Sequence, residues 1–247
     1  MSNNNDVFLE VRNLSNEYIT RHLGLFGKKE IKPVLSSLNM QIHNGEIFGL
    51  VGESGCGKST LAKCILGLID YKGEILVRGS IHGKKPSFKD RQKRAFDVQA
   101  VFQDPSASLN PVKSIGWILE EPLRAHGIGT RAEREYQADH MLELVGLNST
   151  YRRRKPAELS SGQKQRISIG AALMLKPGLL IADEPVSALD VSVGAQILNL
   201  FRELNRNLNL ALLFISHNME LVHYLCDSIA LMENGSIKTK YRDYEAN

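Results

Sequence analysis

Apolar residues fall into two periods along this chain. From Val7 to Arg12 they alternate, with Val7, Leu9 and Val11 on one side and Phe8, Glu10 and Arg12 on the other. Leu38, Met40 and Ile42 repeat the alternation, and so do Ile75 and Val77 between Gly73 and Gly79. Segments of period two predict half-buried antiparallel strands. The Gly- and Lys-rich stretch from Arg21 to Pro33 reads as a surface loop. Ile47 to Val51 differs: it is short and apolar, as for a strand covered on both faces. Leu61, Cys64, Ile65, Leu68 and Ile69 then recur at helical spacing, so buried strand, Gly-rich turn and helix follow in order.

Residues from approximately 105 to 160 carry helical patterns, Ile115 to Leu123 and Arg131 to Val145, broken by Gly and Pro. No strand pattern interrupts them, which predicts a helical insert. Beyond it helix (Gln163 to Leu175), buried strand (Leu179 to Ala182), helix (Val193 to Asn207) and buried strand (Leu210 to Ser216) alternate. Alternation of this kind implies a parallel sheet with crossover helices. The expected fold is α/β, with an N-terminal antiparallel β subdomain and a helical insert.

Composition narrows the function classes. A net charge of +4 over 247 residues is too mild for the concentrated basic face of a nucleic-acid binder, so no nucleic-acid partner is expected. The one dense basic run, Arg152 to Lys155, reads as a solvated loop. Three cysteines, Cys56, Cys64 and Cys226, form no metal-like spacing and suit a reducing compartment. The N-terminal residues show no signal-peptide pattern. The longest apolar run, Leu210 to Ile215, is far short of the roughly 20 residues that span a bilayer. Any membrane role is expected to go through other chains.

The turn after the buried strand reads Gly52-Glu53-Ser54-Gly55-Cys56-Gly57-Lys58-Ser59-Thr60, which satisfies GxxxxGK[ST] in the strand–turn–helix context that the motif requires. Its glycines let backbone N–H groups wrap phosphates, and the helix N-terminus adds its positive end. Lys58 is expected on the β- and γ-phosphates, Ser59 on Mg²⁺ and Thr60 near the α-phosphate. Cys56 reads as a spacer. Further on, the apolar run Leu179 to Ala182 ends in Asp183 and Glu184. Asp183 is expected to hold Mg²⁺, directly or through water, and Glu184 to orient and polarise the attacking water. Together these residues predict a P-loop NTPase core of the RecA-like kind with Mg²⁺ at the phosphates.

Five further motifs resemble those of the ABC ATPase family. Leu159-Ser160-Ser161-Gly162-Gln163 is similar to the family's signature LSGGQ. Ser187-Ala188-Leu189-Asp190 resembles the D-loop, and His217, after Leu213 to Ser216, resembles the switch histidine. Gln103, in Val101 to Pro105, resembles the Q-loop glutamine, and Tyr18 stands where the family stacks an aromatic on adenine. All occur in the family's order over nearly the whole chain. The resemblance implies one ABC nucleotide-binding domain over residues 1–247, with its helical subdomain at approximately 105–160. It implies that two such domains pair head to tail. Each ATP then lies between the phosphate loop of one and Ser160, Ser161, Gly162, Gln163 and Asp190 of the other. Glu184 is the implied general base. His217 and Gln103 act at the γ-phosphate, and Gln103 joins Ser59 and Asp183 at the metal.

Two departures stand out. Ser161 replaces the usual glycine of the signature, which puts a Cβ where close backbone approach is expected. Ile169 to Leu173 lacks an arginine common in the family. Both bear on the strength of this half-site and would suit an unequal pair of ATP sites.

The run from Val101 to Pro111, with Glu121-Pro122-Leu123 and His126-Gly127, resembles the bacterial peptide/nickel importer group. The chain's length resembles the shorter nickel or metal-chelate type. The resemblance implies a sister ATPase (a heterodimer, or a homodimer), two transmembrane permease subunits, an extracytoplasmic solute-binding protein, and a peripheral place on the cytoplasmic face of the membrane. The alternatives are an ABC exporter ATPase, which shares every catalytic motif, and a non-transport ABC ATPase. Against the latter, the chain carries one cassette rather than two and no heptad run between Gly57 and Ser160.

Overall fold

The computed structural model describes residues 6–21, 29–82 and 88–242. In chain order the elements are β1 (Val7–Arg21), β2 (Lys29–His43), β3 (Ile47–Val51), α1 (Lys58–Ile65), β4 (Lys72–Val77), β5 (Ser80–Ile81), α2 (Phe88–Asp97), β6 (Val98–Val101) and α3 (Pro105–Ser108). There follow α4 (Ile115–Ala125), α5 (Arg131–Leu144), α6 (Ser161–Leu173), β7 (Leu179–Asp183), α7 (Val191–Leu208), β8 (Ala211–Ser216), α8 (Met219–Leu225), β9 (Ser228–Glu233) and β10 (Ser236–Arg242). The chain divides into two compact units, Met1–Arg94 with Leu213–Asn247, and Ala95–Leu212.

The first unit holds the antiparallel sheet β2-β1-β4-β5. The predicted alternation is its core face: Leu9, Val11, Leu38, Met40, Ile42, Ile75 and Val77 are all buried. Phe8, assigned by alternation to the polar side, is buried as well. The β1–β2 register slips between Val7 and Leu9, so Phe8 is the extra residue of a bulge. The Arg78 guanidinium covers its ring at 5.1 Å. The expected loop from Arg21 to Pro33 is shorter than its composition suggests. Arg21 pairs with Lys29, and Pro33 with Glu17, so both ends belong to strands. Residues 22–28 lie outside the described residues. In the same unit β3, buried along its whole length, runs parallel to β9 and has β8 on its other side. Helix α1 is shorter than predicted. It stops at Ile65, Gly67 turns at φ +70°, and Leu68 is 63% exposed.

The second unit pairs β6 parallel with β7 and carries the expected helices. Between 105 and 160 its described residues form α3, α4, α5 and two 3₁₀ turns (Ser149–Arg153 and Pro156–Glu158), without a strand. Side chains start these helices. Ser114 Oγ accepts from Trp117 N at 3.3 Å at the head of α4. Thr130 and Glu133 close a reciprocal capping box at the head of α5. Among the described residues no helix is long and apolar enough to cross a membrane.

Candidate functional site

In the first unit, buried β3 delivers the chain to Gly52. A side chain there would overlap the Met232 carbonyl oxygen, so the close approach of loop and β9 requires glycine. At the other end of the loop Gly57, at φ +114°, opens α1. Lys58 is 6% exposed and folds back under the loop. Its Nζ donates to the Gly52 carbonyl at 2.6 Å and to the Glu53 carbonyl at 2.9 Å. A third contact runs to Cys56 Sγ at 4.0 Å, so none of these partners is a carboxylate that would compete with an incoming anion.

Gly52 to Cys56 line a cavity of about 510 Å³ whose other wall is Leu231 to Asn234. That wall is the β9–β10 hairpin. Asn234 (φ +47°) and Gly235 (φ +77°) make its two-residue turn, and the Gly235 N–H donates to the Cys56 carbonyl at 3.0 Å. Asn-Gly at 234–235, between strand-like segments, is the sequence signal for this hairpin. Ser59 and Thr60 occupy the first turn of α1, Ser59 exposed and Thr60 half-buried. Tyr18 is 66% exposed on β1, opposite Lys32. His217 is exposed directly after β8, where Ser216 Oγ accepts from Asn218 N at 3.0 Å.

In the second unit, β7 carries Asp183, 7% exposed, to its end. Glu184 then adopts φ +52°. A residue with a Cβ in the left-handed region costs on the order of 1–2 kcal/mol. The turn holds it there: Ser187 donates to the Glu184 carbonyl from both its N–H, at 3.3 Å, and its Oγ, at 3.0 Å. Gln103 is exposed between β6 and α3, beside Asp104, which caps α3 by accepting from Ser106 N at 2.8 Å.

The signature is a helix start. Ser160 is the N-cap of α6, its Oγ accepting from Gln163 N at 3.3 Å while Gln163 Oε1 accepts from Ser160 N at 3.1 Å. The spacing Ser-x-x-Gln is that of a capping box. Ser161 takes an ordinary helical place and is exposed. Gly162 is the glycine that matters: a Cβ there would overlap Val193 Cγ1 on α7. Asp190 caps α7, accepting from Val193 N at 3.0 Å and from Ser192 Oγ at 2.9 Å. These hydrogen bonds hold its carboxyl below the ordinary aspartate range.

The residues expected at a metal, Ser59, Gln103 and Asp183, offer only oxygen donors, which suits Mg²⁺. Among the described residues no three His, Cys, Asp or Glu side chains gather into a metal site. A few donors completed by substrate phosphates are the usual way in which Mg²⁺ binds.

The sequence model of the ABC transporter family matches residues 35–187. The oligopeptide transport ATP-binding protein AppF of Bacillus subtilis is 42% identical over 239 residues, 95% of this chain and 71% of the relative. OppF of Haemophilus influenzae, an oligopeptide transport ATP-binding protein, is 41% identical over 99% of this chain and 75% of its own length. The structure of cbiO1 from Clostridium perfringens, part of an ABC transporter complex, superposes with a TM-score of 0.83 at 26% identity, over 96% of this chain and 89% of that one. A dimeric ATP-binding cassette in a post-hydrolysis state, bound to ADP and Pi, gives 0.81 at 26% identity over 96% of this chain and 99% of its own.

Proposed function

The chain belongs to the ABC transporter family, and from that premise we propose that it is the ATPase of a peptide importer, working as one half of a cassette dimer. That it binds and hydrolyses ATP to energise import follows from the family and from its relatives. The peptide substrate is carried over from relatives that are named for oligopeptide and dipeptide transport. None of those names supports the nickel or metal-chelate type suggested by chain length. The whole chain acts as one nucleotide-binding domain, with a helical subdomain at approximately 105–160.

The roles we assign combine the chemistry of the phosphate loop and the Asp183-Glu184 pair with what the family resemblance implies for the other motifs. Backbone N–H groups from Gly52 to Gly57 and the Lys58 ammonium hold the phosphates. Tyr18 offers an exposed ring to the adenine. Glu184 orients water for in-line attack on the γ-phosphate, and His217 and Gln103 stabilise that phosphate. When bound, Mg²⁺ neutralises phosphate charge, and Ser59, Gln103 and Asp183 are its assigned oxygen donors. Ser160, Ser161, Gly162, Gln163 and Asp190 face the ATP of the partner cassette. The partners are a second cassette, related or identical, two permease subunits and an extracytoplasmic solute-binding protein. The working place is the cytoplasmic face of the membrane.

The observation that carries the hydrolytic reading is the backbone of Glu184. A non-glycine residue at φ +52°, held by its own turn directly after the buried strand that ends in Asp183, supports this reading. Replacing Glu184 by Gln keeps the shape and removes the base. ATP binding should persist while turnover falls by roughly 10²–10⁴-fold. Normal turnover in Glu184→Gln would remove Glu184 from this role.

A further inference from the structure

Gln163 makes two side-chain contacts, and one of them is to a residue outside the signature. Its Oε1 is committed to the Ser160 N–H at 3.1 Å. The amide nitrogen therefore faces the other way, where Nε2 donates to the Tyr151 hydroxyl at 3.0 Å. Tyr151 is itself fixed. It lies in the 3₁₀ turn Ser149–Arg153, whose start is capped by Asn148, accepting from Thr150 N at 2.8 Å. The Arg154 guanidinium covers the Tyr151 ring at 4.1 Å, and the Arg154 carbonyl accepts from Ile115 N at 2.9 Å at the head of α4. A continuous set of contacts thus runs from the start of α4, through Arg154 and Tyr151, to the capping box that opens α6.

We propose that Tyr151 is a positioning residue for ATP hydrolysis, holding the Gln163 amide in the one orientation that closes the capping box and so fixing the first turn of α6. The inference rests on the reading that this turn faces the partner cassette's ATP. Without the hydroxyl, the Gln163 side chain regains rotamers that point to solvent, and the Ser160 N–H loses its acceptor whenever they are visited. The loop's own grip on nucleotide involves none of these atoms. The defect therefore belongs in turnover and not in binding to the phosphate loop.

The test uses the full chain in its ATP-hydrolysing assembly, with Tyr151→Phe, Gln163→Ala and the double variant. Phe keeps the ring face for Arg154, and the melting temperature checks that the fold is kept. Tyr151→Phe should lower kcat by roughly twofold to tenfold, the weight of one neutral hydrogen bond. The affinity of the phosphate loop for a non-hydrolysable ATP analogue should not change. In the Gln163→Ala background the same substitution should add nothing, because Tyr151 acts through Gln163. Wild-type kcat in Tyr151→Phe, or an equal further loss in the Gln163→Ala background, would overturn the proposal. If Gln163→Ala itself turns over normally, the reading of the signature falls and the proposal falls with it. A loss in Gln163→Ala with none in Tyr151→Phe removes Tyr151 alone.

Discussion

Substituting Gly162 by Ala adds one methyl group between α6 and α7. A Cβ at this position overlaps Val193 Cγ1, while Val193 Cβ and Cγ2 lie at 3.8 and 4.0 Å, in ordinary contact. One methyl of one side chain is therefore the obstacle. It has two ways out. Val193 can rotate, but a β-branched residue in a helix has one strongly preferred rotamer, and leaving it costs about 0.5–1.5 kcal/mol. Otherwise the first turn of α6 shifts away from α7, and overpacking of that kind typically costs about 1–3 kcal/mol. Because the rotation is available, its cost bounds the expected loss at about 0.5–1.5 kcal/mol. Urea denaturation of the full chain measures it as a lower midpoint at unchanged slope. Ser161→Ala, one residue earlier and exposed, is the control and should stay within about 0.5 kcal/mol of the parent. Adding Val193→Ala to Gly162→Ala removes the obstructing methyl and should recover most of the loss. A midpoint unchanged in Gly162→Ala, or lowered further by Val193→Ala, would refute the packing argument.

Three more outcomes are expected. Glu184→Gly relieves the left-handed strain and should raise stability by up to about 1 kcal/mol while abolishing turnover, read from denaturation and phosphate release on one preparation. Burial, with the Arg94 and Lys93 charges, pushes the His82 imidazole down to about 4, so the folded state resists a proton that the unfolded chain binds below its ordinary 6.5. Stability should therefore fall as pH drops from about 6.5 to about 4, and His82→Gln should flatten that interval in pH-resolved denaturation. Burial pushes the Cys64 thiol up to about 12 and Cys226 is also buried, so alkylation of native protein at neutral pH should add one label, at Cys56. Saturating ATP should slow that labelling, because Cys56 lines the loop cavity.

The parts legible in the sequence were those whose burial is strongly patterned. β3 and β7 are buried on both faces and read as unbroken apolar runs, and α4, α5 and α7 keep their helical spacing. What escaped was short or irregular. β6 is four residues long with two half-buried positions in the middle, too little for any period to register. Phe8 falls on the polar side of the alternation, but a bulge turns it inward. Leu68 kept helical spacing beyond the point where Gly67 ends α1. Within the candidate site the motifs stand in the sequence, but most of what holds their residues does not. The packing of the Asn234-Gly235 hairpin against the loop, the left-handed Glu184 and the Tyr151 contact to Gln163 come from residues distant in sequence or from backbone angles. The capping box was written plainly in Ser160-x-x-Gln163, yet the same letters also spell the family signature, and that second meaning masked the first.

The most direct test of the central claim is to tag this chain at native level, solubilise membranes gently and identify what copurifies by mass spectrometry, with ATPase activity measured on the same material. A working importer subunit should bring a second cassette, or a second copy of itself, together with two multi-span proteins, and the complex should hydrolyse ATP. Recovery of an active ATPase with ribosomes, or with no multi-span protein, would contradict the transport role and leave a different ABC ATPase in its place.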